Sequence, residues 1–78
     1  MNEYEEDRQE FDVDYYILDS LEVARISYDT VTGDSLGGEI LVGNRRWEEY
    51  PTSAIIGNGD LVSRSEAKKC AKKSGLHL

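Results

Sequence analysis

Between Phe11 and Leu18 the chain reads FDVDYYIL, with Phe11, Val13, Tyr15 and Ile17 at one parity and Asp12 and Asp14 at the other. Alternation of period two belongs to a strand with one buried and one wet face, and such a strand needs hydrogen-bonded neighbours. The neighbours follow in sequence. Val23, Arg25 and Ser27 alternate with Ala24, Ile26 and Tyr28. Asp19-Ser20-Leu21-Glu22 also spells a helix-capping box, but the β-branched and aromatic content through Val31 favours a second strand, with Asp19-Ser20 as the hairpin turn. Glu39-Ile40-Leu41-Val42 predicts a short buried strand and Gly43-Asn44 a turn. Residues 45–50 follow as another strand or a short irregular segment that carries Trp47 and ends at Pro51. Ser53-Ala54-Ile55-Ile56 reads as one more edge strand before a Gly57-Asn58-Gly59-Asp60 turn. Residues 33–38, with three glycines in six positions, read as a flexible connection.

The last sixteen residues change character. Ser63 and Glu66 have the spacing of a capping box, Val62 and Ala67 that of a hydrophobic staple, Lys72 and Lys73 fall in the last turn, and Gly75 is placed to stop the helix. The pattern predicts a helix over residues 64–74. Its apolar stripe, Ala67, Cys70, Ala71 and Ser74, permits close approach to a sheet but buries little area, so docking also calls on Leu76 and Leu78. The expected fold is therefore α+β: a small twisted antiparallel sheet of three to five strands with one C-terminal helix packed on it. Residues 1–10 hold Glu3, Glu5, Glu6, Asp7 and Glu10 with only Met1 and Tyr4 as apolar members, and are expected to form a flexible acidic arm before a single domain at 11–78.

Size limits what this domain can do. An ordered chain gives up roughly 1.5 kcal/mol of conformational entropy per residue, so with 78 residues, 38% of them hydrophobic, nearly every apolar side chain is needed for the core. A large buried active-site cavity, a dinucleotide-binding domain pair and a membrane-spanning architecture are all disfavoured, and no run approaches 18 apolar residues. The opening MNEYEEDRQE has the opposite charge to a secretory signal or transit peptide, and the single cysteine, Cys70, cannot form an internal disulfide. Both point to the cytoplasm, the host cytoplasm if the chain is phage-encoded.

The formal charge of -7 is unevenly spread: residues 1–14 carry a net -6, residues 15–62 a net -5 and residues 63–78 a net +4. Motifs of catalysis fail on inspection. Gly33-Asp34-Ser35-Leu36 spells the nucleophile block of GDSL hydrolases, but such a serine needs a converging base, carboxylate and oxyanion donors on a scaffold of roughly 200 residues. The only histidine, His77, follows Ser74 where those enzymes carry an aspartate, so the resemblance is set aside. Gly57-x-Gly59 leads into an acid rather than Lys-Ser/Thr, which excludes a phosphate cradle. Asp34, Glu39 and Asp60 lack the spacing of a calcium loop and read as solvated turn residues. One histidine and one cysteine cannot assemble a zinc site of the usual spacing. No cofactor, no metal and no catalytic residues are expected. Cys70, among alanines of the helix stripe, reads as a small buried hydrophobe.

Two surfaces remain. Asp12, Asp14, Asp19, Glu22 and Asp29 project from predicted strands and turns, with Glu48 and Glu49 further on. Carboxylates on a rigid sheet can imitate a nucleic-acid backbone and bind the cationic groove of a nucleic-acid enzyme. Alternatively, Arg45, Arg46 and Trp47 with the helix cations Lys68, Lys69, Lys72 and Lys73 could grip nucleic acid, or Trp47 could anchor the core while the helix cations pair with the protein's own acids. The first reading describes a non-catalytic binding protein, an inhibitor whose partner is a protein with a basic, nucleic-acid-handling surface. In size, acidity and lack of catalytic residues the chain resembles the small inhibitors that phages encode against host defence, such as DNA mimics and anti-CRISPR proteins, a resemblance of type rather than of motif. The second describes a small nucleic-acid-binding accessory factor. Nothing calls for a membrane, and a thin core with open sheet edges admits a homodimer.

Overall fold

The computed structural model describes residues 11–78; the acidic segment 1–10, expected as an arm, lies outside the described residues. Strands β1 (Phe11–Leu18), β2 (Val23–Asp29), β3 (Ser35–Gly43) and β4 (Arg46–Tyr50) run as an antiparallel meander. Helix α1 (Thr52–Asn58), strand β5 (Gly59–Val62) and helix α2 (Arg64–Lys73) complete the chain. β5 does not join β4. It pairs antiparallel with β1 at the far edge, so the sheet order is β4-β3-β2-β1-β5. This is the expected small α+β fold at the upper end of its strand count, with one helix more than anticipated.

The extra helix corrects the reading of residues 53–56 as an edge strand. The chain must cross the sheet from the β4 edge to the β1 edge, and a helix satisfies its own backbone groups on the way. Ile55, fully buried, plugs α1 into a cluster of Leu18, Ala24, Ile26 and Ile40, flanked by Tyr16, Tyr28 and Tyr50. Two glycines make room. A Cβ on Gly38 would meet Ile55 Cδ1 at 2.6 Å and the Tyr50 carbonyl at 2.7 Å, and one on Gly59 would meet the Ile55 carbonyl at 2.8 Å. Gly59, expected in a turn with residues 57–60, thus opens β5 directly behind α1.

Residues 33–38 are also corrected, because β3 already begins at Ser35 and includes Gly37 and Gly38. The register slips between Ser27 and Tyr28 and again between Leu41 and Gly43. The unpaired residues are Leu36 and Val42, and both are exposed, as expected of side chains displaced by bulges. The β3–β4 turn falls on Asn44-Arg45, one residue later than predicted, with Arg45 at φ 56°. In the β1–β2 hairpin Leu21 takes φ 70° and the Leu18 N–H donates to the Glu22 carbonyl, so the stretch that could have opened a helix is a turn followed by strand from Val23 onward.

α2 lies on the opposite face of the sheet from α1. Ala67 and Ala71 pack against Val23 and Leu41, with Tyr15, Trp47, Val62, Cys70, Leu76 and Leu78 around them. Its predicted ends hold: the Ser63 hydroxyl accepts from the Glu66 N–H and the Glu66 carboxylate accepts from the Ser63 N–H, both at 3.1 Å. At the other end the N–H groups of Gly75 and Leu76 donate to the Lys72 and Ala71 carbonyls, a Schellman closure that turns on Gly75 at φ 77°. Residues 76–78 then lie along the β3–β4 turn. The His77 carbonyl accepts from the Arg45 N–H, its own N–H donates to Asn44 Oδ1, and the Trp47 indole donates to the Leu78 carbonyl. No helix among the described residues is long and apolar enough to cross a membrane.

Candidate functional site

Strand parity and register decide where each candidate side chain goes, since successive residues face opposite ways and paired residues share a face. Asp12 and Asp14 stand two residues apart on the α1 face, Asp12 opposite Tyr28 and Asp14 opposite Ile26. Glu48, opposite Ile40, belongs to the same face at the β4 edge. Tyr16, Tyr28 and Tyr50 lie between these carboxylates, half-buried against the Ile55 cluster. The Tyr16 phenol is held above its ordinary value, first by burial, then by its neighbour Tyr28, and last by the Asp14 carboxylate. It therefore stays neutral throughout the physiological range.

The other four acids are elsewhere. Asp19 and Glu22 sit in the β1–β2 turn at one end of the sheet, where Glu22 accepts from the Ser20 hydroxyl at 2.8 Å and the Asp19 N–H is tied to the Asn58 carbonyl. Asp29 ends β2 and shapes the β2–β3 loop, because its Oδ1 accepts from the N–H groups of Val31 and Thr32 at 2.7 and 3.1 Å. Glu49 is on the α2 face, opposite Glu39. The seven acids thus form one group of three on a tyrosine-bearing face and a scatter around it.

The α2 face holds a residue to which the alternation of β2 alone assigns no role. Arg25, near the middle of β2, lies across from Glu39 with its Nη2 2.7 Å from the carboxylate, and its guanidinium rests 4.0 Å from the centroid of the Trp47 ring. One face of Trp47 is therefore covered by Arg25 and its indole N–H is taken by Leu78. Arg46, next to Trp47 on the strand, projects to the other face, and Arg45 occupies the turn, so Arg45, Arg46 and Trp47 do not make one continuous surface. An arginine among Val23, Ala24 and Ile26 in a central strand is the signal that a partner had to exist.

Lys68, Lys69, Lys72 and Lys73 are exposed along α2, as is Arg64 at its start. Among the described residues the one ion pair is Arg25–Glu39. The helix cations consequently do not neutralise the acidic sheet by direct pairing. Cys70 is half-buried, with its thiol directed at the Leu21 carbonyl 3.3 Å away. Ser35 and His77 lie near opposite ends of β3, roughly 25 Å apart at the ordinary rise of a strand, far outside the reach of a nucleophile and its base. Among the described residues no three His, Cys, Asp or Glu side chains gather as metal ligands.

Where β5 stops, β1 is left uncovered. β5 pairs with residues Tyr15 to Leu18 only, and Ser63 then diverts the chain into α2. A cleft of about 690 Å³ opens there, lined by Asp12, Val13 and Asp14 from β1, by Arg25, and by Val62 and Arg64 from the diverging chain. Comparison with known protein families, curated proteins and solved structures returns no match for this chain.

Proposed function

We propose that this chain is a small, acidic, non-catalytic binding protein that docks its carboxylate-bearing strand face on the basic surface of a nucleic-acid-handling protein. The observation that carries the reading is the placement of Asp12 and Asp14: same face, same strand, and no ion-pair partner among the described residues. Alternate residues of a strand stand about 6.8 Å apart, twice the roughly 3.4 Å of helix axis per charge on one DNA strand, so a groove that grips phosphates meets carboxylates at a matching interval. Half-exposed tyrosines beside them supply the rigid amphipathic contact area that interfaces favour. The corresponding biological role is inhibition of the kind phages direct at host defence, as a DNA mimic or anti-CRISPR protein in the host cytoplasm.

The test is competition. The purified protein should bind a nucleic-acid enzyme, lose affinity as salt rises and be displaced by duplex DNA. Asp12→Lys with Asp14→Lys should weaken that binding at least tenfold while leaving the thermal melt within a few degrees, because Asp12 is exposed, Asp14 only partly buried, and neither joins an ion pair among the described residues. Binding that ignores the double charge reversal would overturn the reading. A second reading has its own observation, the exposed cations of α2 that no intramolecular carboxylate engages. It expects salt-sensitive binding to oligonucleotides that Lys68→Glu with Lys72→Glu abolishes.

A further inference from the structure

The open segment of β1 has a defined chemistry. In an antiparallel strand the N–H and C=O of one residue point to the same side, and successive residues alternate sides. The Leu18 N–H points toward β2, where it donates to Glu22, and the Asp19 N–H points the other way, to Asn58 beside β5. Counting back by twos, Val13 and Phe11 direct their N–H and C=O groups away from β2, along the track that β5 vacates after Val62. The Val13 N–H and C=O face the 690 Å³ cleft, and among the described residues β5 pairs no further along β1 than Tyr15.

We infer that this edge accepts an extended segment of the partner as an added strand, and that the segment alternates basic and apolar residues. The inference rests on the proposed docking of the acidic face and specifies how a partner engages it. An added strand continues the alternation of faces, so its residues on the α1 face lie beside Asp12 and Asp14 and are met by carboxylates. Its residues on the α2 face lie beside Val13, Tyr15 and Val62 and are met by apolar groups. On that face Arg25 is already paired with Glu39, whereas Arg64 stands at the mouth of the cleft without an ion-pair partner and repels further cations. The site thus prefers Lys-Val alternation to uniform lysine. A second copy of this chain is a poorer occupant. Pairing β1 with its own copy about Val13 sets Asp12 against the other Asp14, and like charges directly opposite destabilise a ladder.

The experiment uses the full chain and three seven-residue peptides: alternating Lys-Val, the same peptide with its valine backbone nitrogens methylated, and heptalysine. The expected result is binding of the alternating peptide with slowed hydrogen exchange at the Val13 amide. Heptalysine should bind at least tenfold more weakly, as should the methylated peptide, which keeps every charge but cannot donate to the edge. Val13→Pro, which removes an N–H that makes no bond to β2, should also lose the alternating peptide. Equal binding of all three peptides overturns the inference and leaves the charge-based docking intact. So does self-association through β1 in sedimentation, if Asp12→Asn strengthens it. Failure of all three peptides, with failure to compete for a nucleic-acid enzyme, overturns both.

Discussion

Gly38 and Gly57 offer a pair of substitutions with opposite expected signs. At Gly38, inside β3, an alanine Cβ would fall 2.6 Å from Ile55 Cδ1 and 2.7 Å from the Tyr50 carbonyl oxygen. Both are inside the closest approach such atoms tolerate, and one is backbone. The Ile55 side chain is fully buried and the Tyr50 oxygen belongs to the β4 backbone, so relief calls for α1 to lift from the sheet or β4 to shift. Overpacking of this sort costs about 1–3 kcal/mol, against about 0.4–1 kcal/mol regained because alanine restricts the unfolded chain. At Gly57 nothing lies within 4 Å of the added methyl group and the backbone is helical. Alanine there should stabilise by about 0.5–1 kcal/mol. For a domain of this size 1 kcal/mol moves the melting temperature by about 4–8 °C, so Gly38→Ala should lower it by several degrees and Gly57→Ala raise it by a few. Circular dichroism melts of the two variants against the parent decide the matter. If Gly57→Ala destabilises, residues 52–58 are not helical as described. If Gly38→Ala is neutral, Ile55 is not seated over β3.

Two further outcomes concern α2 and the tyrosine face. Ser63→Ala removes the acceptor for the Glu66 N–H and should cost about 1 kcal/mol, read as a lower denaturant midpoint at unchanged slope. Tyr16 has its phenol raised in the folded state, so folding favours the protonated form. That contribution is complete below the unfolded value of about 10 and is lost as pH rises through the higher folded value. Melts between neutral and strongly alkaline pH should therefore fall less steeply for Tyr16→Phe than for the parent, and parallel curves would refute the assignment.

Local signals were legible where the chain's neighbours in sequence are also its neighbours in space. The strand β1, the hairpin at Asp19-Ser20 and the capping box at Ser63 and Glu66 all act within a few residues and appear where the pattern places them. But β1 packs on both faces, with Tyr16 and Leu18 against α1 on the side of Asp12 and Asp14 that alternation reads as wet. The Ser53-Ala54-Ile55-Ile56 run was not legible as a helix. It is short, β-branched and offers one buried position, so only the demand that β5 reach the far edge of the sheet decides its conformation. Glycines 37 and 38 looked like a loop because the contact that requires Gly38, with Ile55, spans seventeen positions of sequence. The acidic site was half readable. Parity put Asp12 and Asp14 together, but the two bulges of β3 and the reversal at β4 determine that Glu48 joins them and Glu49 does not. Arg25 found Glu39 and Trp47 through register alone.

The sheet also acts as a partition. Ile55 with its surrounding aliphatics lies on one side, and Ala67 and Ala71 with theirs on the other, so the chain owns two small cores joined only through strand backbones. Such a molecule can open in halves. Undocking α2 and residues 76–78 exposes Val23 and Leu41 together with the two alanines and frees Trp47 from Leu78, while Ile55 keeps α1 in its seat. Amides of α2 should accordingly exchange through a lower-energy opening than those of β2, and the lone tryptophan sits where its emission would report that opening before the sheet itself comes apart.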